Sequence, residues 1–166
     1  RDWSVTGVQT CALPILLELQ RLSEHELSPD GTQVAFTVQT VNVEANTKPR
    51  QIWVVPLAGG TPRKLTSEGN NYRPKWSADG KSLLFLSTRS GSAQAWLMNA
   101  DGSGARQVTT ISTEADAVSF VPGGNKIVFT SEVYPECTDD ACNKAKLEAE
   151  SKSKLKARTY TSLLYR

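Results

Sequence analysis

Apolar residues in this chain come in short runs, not along the stripe of an amphipathic helix. Val34-Ala35-Phe36, Leu83-Leu84-Phe85-Leu86 and Ile127-Val128-Phe129 are the clearest. A turn sequence precedes each of them: Ser28-Pro29-Asp30-Gly31, Ser77-Ala78-Asp79-Gly80 and Val121-Pro122-Gly123-Gly124. Gly31 and Gly80 accept positive φ without steric cost, and Asp30 and Asp79 can bond the backbone that follows. The Asp-Gly pairs therefore predict tight turns, with Gly123-Gly124 in the same place in the third copy. A short apolar run bounded by such turns suits a strand covered on both faces.

The three turns are spaced by 49 and 44 residues. A second pattern recurs at 43 residues. It is Gln51-Ile52-Trp53-Val54-Val55 through Lys64-Leu65-Thr66, then Gln94-Ala95-Trp96-Leu97-Met98 through Gln107-Val108-Thr109. A period in the mid-forties, made of short strands and turns, is the pattern of four-stranded propeller blades. Within each unit the tryptophan segment is the next strand, residues 58–62 and 101–104 close hairpins, and the Arg63 and Arg106 segments are polar outer strands. Trp53, Trp76 and Trp96 recur at similar places and read as blade packing. The expected fold is all-β, a partial β-propeller of two four-stranded blades plus part of a third, with an inserted charged α-helix. The expected blades are residues 27–66 and 67–110, with an incomplete one at 111–166.

Three stretches depart from the repeat. Leucines at positions 16, 19 and 22 suit a short helix within a lead-in at 16–26. Residues 143–158 hold Ala, Leu, Glu and Lys with no Gly or Pro, and predict an inserted helix. Glu148 with Lys152, and Glu150 with Lys154, stand in the favourable i, i+4 order, and the helix reads as largely solvated. Residues 160–166 return to a strand-like pattern. Residues 5–15 match what a widely used sequencing-adapter oligonucleotide encodes in one frame. Residues 1–15, with Cys11, are therefore set aside as an adapter-derived artefact, and any signal peptide is expected upstream of them.

Composition narrows the chemistry. The chain has 166 residues, 39% of them hydrophobic, and a formal charge of +2. Its basic residues are interleaved with acids, so no nucleic-acid partner is expected. No apolar run reaches the roughly 18 residues of a membrane span. Cys137 and Cys142 bracket four residues in a turn-rich stretch. A disulfide-closed loop is the simplest reading, with free thiols and a metal pair as alternatives. A disulfide would place the protein in an oxidising compartment, periplasmic or secreted. The loop at 99–104 offers one carboxylate, too few for calcium. Glu24, Glu26 and Asp30 form an acidic group that reads as solvated surface. His25 has no nucleophile beside it, so no catalytic residue is assigned. No cofactor or metal site is expected.

The Asp-Gly repeats resemble those of TolB-type propellers and of the propeller domain of prolyl-oligopeptidase-family peptidases. The insertion is sharper: Val133-Tyr134-Pro135-Glu136-Cys137, Ala141-Cys142-Asn143-Lys144, a charged helix, then Leu163-Leu164-Tyr165-Arg166. With Arg21-Leu22-Ser23 ahead of the first turn, it resembles the bacterial acylaminoacyl-peptidase and dipeptidyl-peptidase-like branch, over residues 16–166. The resemblance implies a propeller that restricts access to peptides and helps bind the substrate's N-terminal side. It implies as partners a C-terminal α/β-hydrolase domain of the same parent chain, bearing a Ser-Asp-His triad, and a peptide substrate. This sequence has no G-x-S-x-G; Ser90-Gly91-Ser92 and Gly102-Ser103-Gly104 fall in predicted turns. An acidic pair often grips the substrate amine in such peptidases, but nothing in the spacing of Glu24, Glu26 and Asp30 marks them for it. The rival is a periplasmic TolB-type propeller acting as a protein-interaction module. The insertion favours the peptidase reading, because plain repeats do not require it.

Overall fold

The computed structural model describes residues 18–123 and 126–153. Strands β1 (Arg21–Leu27), β2 (Gln33–Gln39), β3 (Arg50–Pro56) and β4 (Arg63–Lys64) form one antiparallel sheet in that order. A second sheet repeats it with β5 (Asn71–Trp76), β6 (Ser82–Ser87), β7 (Gln94–Asn99) and β8 (Arg106–Gln107). The register repeats too. Phe36 pairs with Trp53 and Phe85 with Trp96, and the outer strands pair Trp53 with Lys64 and Trp96 with Gln107. Strands β9 (Ala117–Phe120) and β10 (Ile127–Thr130) pair as the start of a third blade, and helix α1 (Asp140–Lys152) follows.

The continuous apolar runs are explained by two interfaces. Ala35, Ile52 and Val54 of the first blade meet Trp76, Leu83, Phe85 and Met98 of the second. Leu84, Leu86 and Ala95, on the opposite face of the second blade, meet Ala115 and Val118. Successive residues of a strand face opposite sides, so Leu83, Leu84, Phe85 and Leu86 are all 0% exposed. Full burial of each such side chain is worth about 1.5–3 kcal/mol, so the second blade is the anchor of the chain.

The structure corrects two of the expected boundaries. The lead-in does not remain helical to Leu22, because β1 begins at Arg21 and pairs along β2, so the first blade starts there and not at residue 27. Leu22 stands on that strand opposite Val38 and is 69% exposed. The inserted helix starts at Asp140 rather than 143, because Asp139 caps it by accepting from the Cys142 amide. It stops at Ser153, whose backbone is extended. Residues 1–17, Gly124, Asn125 and the stretch 154–166 lie outside the described residues, and with them the adapter-like run, Lys154 and the strand-like segment at 160–166.

Candidate functional site

The Asp-Gly turns are self-contained. Ser28 donates its hydroxyl to Asp30 at 2.5 Å and accepts the Gln33 amide at 2.9 Å, while Asp30 accepts the Thr32 amide at 3.1 Å. Ser77 and Asp79 repeat this, with the Ser77 hydroxyl at 2.6 Å from Asp79, and the amides of Ser82 and Lys81 donating inward. The serine hydroxyls are the main reason both carboxyls titrate below their ordinary range. Gly31 and Gly80 take φ of 71° and 68°, which only a residue without Cβ adopts freely. The third turn keeps its backbone bond from Val121 to Lys126 and a positive φ at Gly123, without hydroxyl or carboxylate. These residues shape the blades and present no free donor set to a ligand.

Four buried polar residues tie the blades together, and sequence reasoning assigned them no role. Thr66 donates to Gln51 Oε1 at 2.7 Å and accepts the Ile52 amide at 2.9 Å. Thr109 does the same for Gln94 and the Ala95 amide, both at 2.8 Å. Each glutamine then donates onward to the chain leading to the next blade, Gln51 to Gly69 O and Gln94 to Ile111 O. Asn71, wholly buried, joins the first of these clasps and accepts from Arg89, whose guanidinium lies 4.7 Å from the Trp96 ring. The signal in the sequence was the recurrence of Gln and Thr at 43-residue spacing.

The inner strands carry the chain's charged row. Glu24 accepts the Arg73 amide at 2.8 Å, and the Arg73 guanidinium reaches Asp116 Oδ1 at 3.0 Å and the Asp116 carbonyl. Lys75 pairs with Glu26 at 2.7 Å, and the Trp76 indole donates to the Glu26 carbonyl. Glu24 and Glu26 are thus bound to the next blade's cations instead of standing free as a solvated pair, and Asp30 lies apart in its turn. His25 is exposed on β1. Beside the row, a cleft of about 230 Å³ is lined by Tyr72, Thr113, Glu114, Asp116 and Glu132. Burial pushes the Tyr72 phenol above its ordinary range, and Arg50 lies 4.0 Å over its ring.

The insertion folds back on the blades. Cys137 and Cys142 are joined by a disulfide, with their Cα atoms 5.5 Å apart. The Asp140 carboxylate accepts both the amide and the hydroxyl of Ser112 at 2.9 Å. Asn143, 5% exposed, bonds the Tyr134 amide and the Asp139 carbonyl, and Lys146 pairs with Glu136. Between this loop and β10 lies a cleft of about 330 Å³, with Ile111, Phe129, Val133 and Cys137 among its walls. Asp101 spends its carboxylate on the Ser103 amide at 2.8 Å, which closes the loop at 99–104 as a plain turn. Among the described residues no three His, Cys, Asp or Glu gather as a metal site.

A family model described as the TolB beta propeller domain matches residues 23–158. Dipeptidyl-peptidase 5 of Porphyromonas gingivalis is 38% identical over 81 residues, which is 48% of this chain and 12% of that protein. Dipeptidyl-peptidase 5 of Porphyromonas endodontalis is 28% identical over 154 residues, 92% of this chain and 21% of that protein. The chain therefore spans only a small part of these relatives. A solved acylaminoacyl peptidase of Pyrococcus horikoshii matches with a TM-score of 0.61 and 19% identity, over 75% of this chain and 19% of that one. At that identity the likeness is one of fold.

Proposed function

Since the chain belongs to the TolB β-propeller domain family, we propose that it is part of the substrate-gating and substrate-binding propeller of a serine peptidase of the dipeptidyl- or aminoacyl-peptidase type. The observation that carries this reading is the alignment of 92% of the chain with a fifth of a dipeptidyl-peptidase. The sequence holds one histidine, and His25 lies exposed on β1, so the chain suits control of access and not bond cleavage. Hydrolysis would belong to an α/β-hydrolase domain of the same parent chain, acting on peptides that the propeller admits. The disulfide suits an oxidising compartment, either the periplasm or the medium. Among the described residues no helix is long and apolar enough to cross a membrane.

The test begins with the parent gene, read from source DNA through both ends of this segment. The expected frame continues through further blades into a G-x-S-x-G followed by Asp and His. The full-length protein should then cleave dipeptidyl- or aminoacyl-nitroanilides, and the 166-residue chain alone should not. A frame that ends after further blades overturns the peptidase reading. In that event the reading that remains is a TolB-type propeller that works as a protein-interaction module.

A further inference from the structure

We propose that the Cys137–Cys142 disulfide is a thiol-responsive latch that holds the helical insertion on the connection between the second and third blades. Ser131 ties the start of the insertion to Thr113 and to the Glu114 carbonyl, and the contacts that hold its far part gather at the bridged loop. Asp139, inside it, caps α1 through the Cys142 amide at 2.8 Å. Asp140, its neighbour, makes the two bonds to Ser112, which lies between β8 and β9. The Cys137 amide donates to the Tyr134 carbonyl, and the Tyr134 amide donates to Asn143 Oδ1. The bridge thus fixes the approach of the chain to α1 and the direction from which Asp140 meets Ser112.

Without the bridge, the loop's docking on the blades would rest on the exposed Asp140–Ser112 bonds, because the cap, the Asn143 bonds and the exposed Lys146–Glu136 pair all lie within the insertion. The blades do not depend on the bridge. Their two core clusters contain no residue of the 131–153 segment, and their strands are held by their own ladders. Undocking would therefore be local, and would open further the cleft in which Phe129 and Val133 already stand part-exposed.

Cys137 and Cys142 are both partly exposed, so a reductant reaches them. The reductant required is a dithiol. One of its thiolates attacks a bridge sulfur and forms a mixed disulfide, and its second thiolate displaces that link. The S–S bond of the protein takes up two electrons and two protons as two thiols, and the dithiol becomes a disulfide.

Amide hydrogen exchange on the full-length protein, oxidised and after dithiothreitol, tests the latch. Complete reduction is verified by the gain of two titratable thiols. The amides of Ser112 and Tyr134 should exchange about tenfold faster after reduction. Those of Ile52 and Ala95, in the blade strands, should not change. Asp140→Asn in the oxidised protein should speed exchange at Ser112 and leave Tyr134 protected, which separates the docking bond from the bridge. Unchanged protection at Ser112 after full reduction overturns the proposal. So does a bridge that the dithiol cannot reduce, and so does acceleration spread over the blade strands, because either would make the bridge a fixed structural element.

Discussion

Gln94 is 2% exposed and uses all its hydrogen-bonding capacity. Its amide donates to Ser92 and to Ile111 O, and its carbonyl accepts from Thr109 and the Ile111 amide. Gln94→Leu would fill the space and strand those partners, of which Thr109 is buried and Ser92 and Ile111 half-buried. We expect a loss of about 1–3 kcal/mol in urea denaturation, and a loss near zero would show that the clasp is not structural. Thr109→Val should cost a similar amount, since it orphans the Ala95 amide. Asp79 gives a pH signature at the same scale. Its folded carboxyl sits below the ordinary 3.8, chiefly through the Ser77 hydroxyl. Its contribution is therefore complete above 3.8 and is lost as the pH falls through the lower folded value. A carboxyl-carbon NMR titration should place the midpoint below 3.8, and Ser77→Ala should move it back up. A midpoint indifferent to Ser77 would remove the hydroxyl as the cause.

At the scale of the element, Leu84 on β6 lies between the second and third blades and touches no solvent. Leu84→Ala should destabilise the full-length protein by about 2–5 kcal/mol, the range for a cavity that packed neighbours cannot close, as read from the urea midpoint. Strands such as β6 were legible in the sequence because burial on both faces demands an unbroken apolar run behind an Asp-Gly turn. The inner strands β1 and β5 were not. Glu24 and Arg73 take φ of 55° and 54° at bulges in the pairing with β2 and β6, which breaks the alternation that marks a strand. Their charges meet across the blade interface, a pairing that no local window displays. The start of α1 was missed for a different reason. The cap belongs to Asp139, four residues before the helix-favouring composition begins at Asn143. Gln51 and Gln94 were visible as repeats, but a polar residue in a strand reads as solvated until the next blade covers it.

The same repeat position has different surroundings along the molecule, and the difference tracks the neighbouring blade. Leu84 is 0% exposed between two blades, while Val128, its counterpart on β10, is 55% exposed with no blade beyond it among the described residues. Phe85 is buried against the first blade, while Phe36, its counterpart there, is only half-buried. Each such side chain forgoes part of the about 1.5–3 kcal/mol that full burial would give. The outer edge of β10 also lacks a strand partner among the described residues, and an open edge next to apolar side chains templates association. Propellers remove both liabilities by closing the ring, and repeat arrays depend on neighbours to cover each unit. Residues 1–166 expressed alone should therefore self-associate, with species larger than the monomer in sedimentation velocity and a broad thermal transition. The full-length protein should remain discrete and melt cooperatively. A monomeric 166-residue chain with one sharp transition would mean that the two interfaces around the second blade suffice without closure, and that the exposed faces of Phe36 and Val128 cost little.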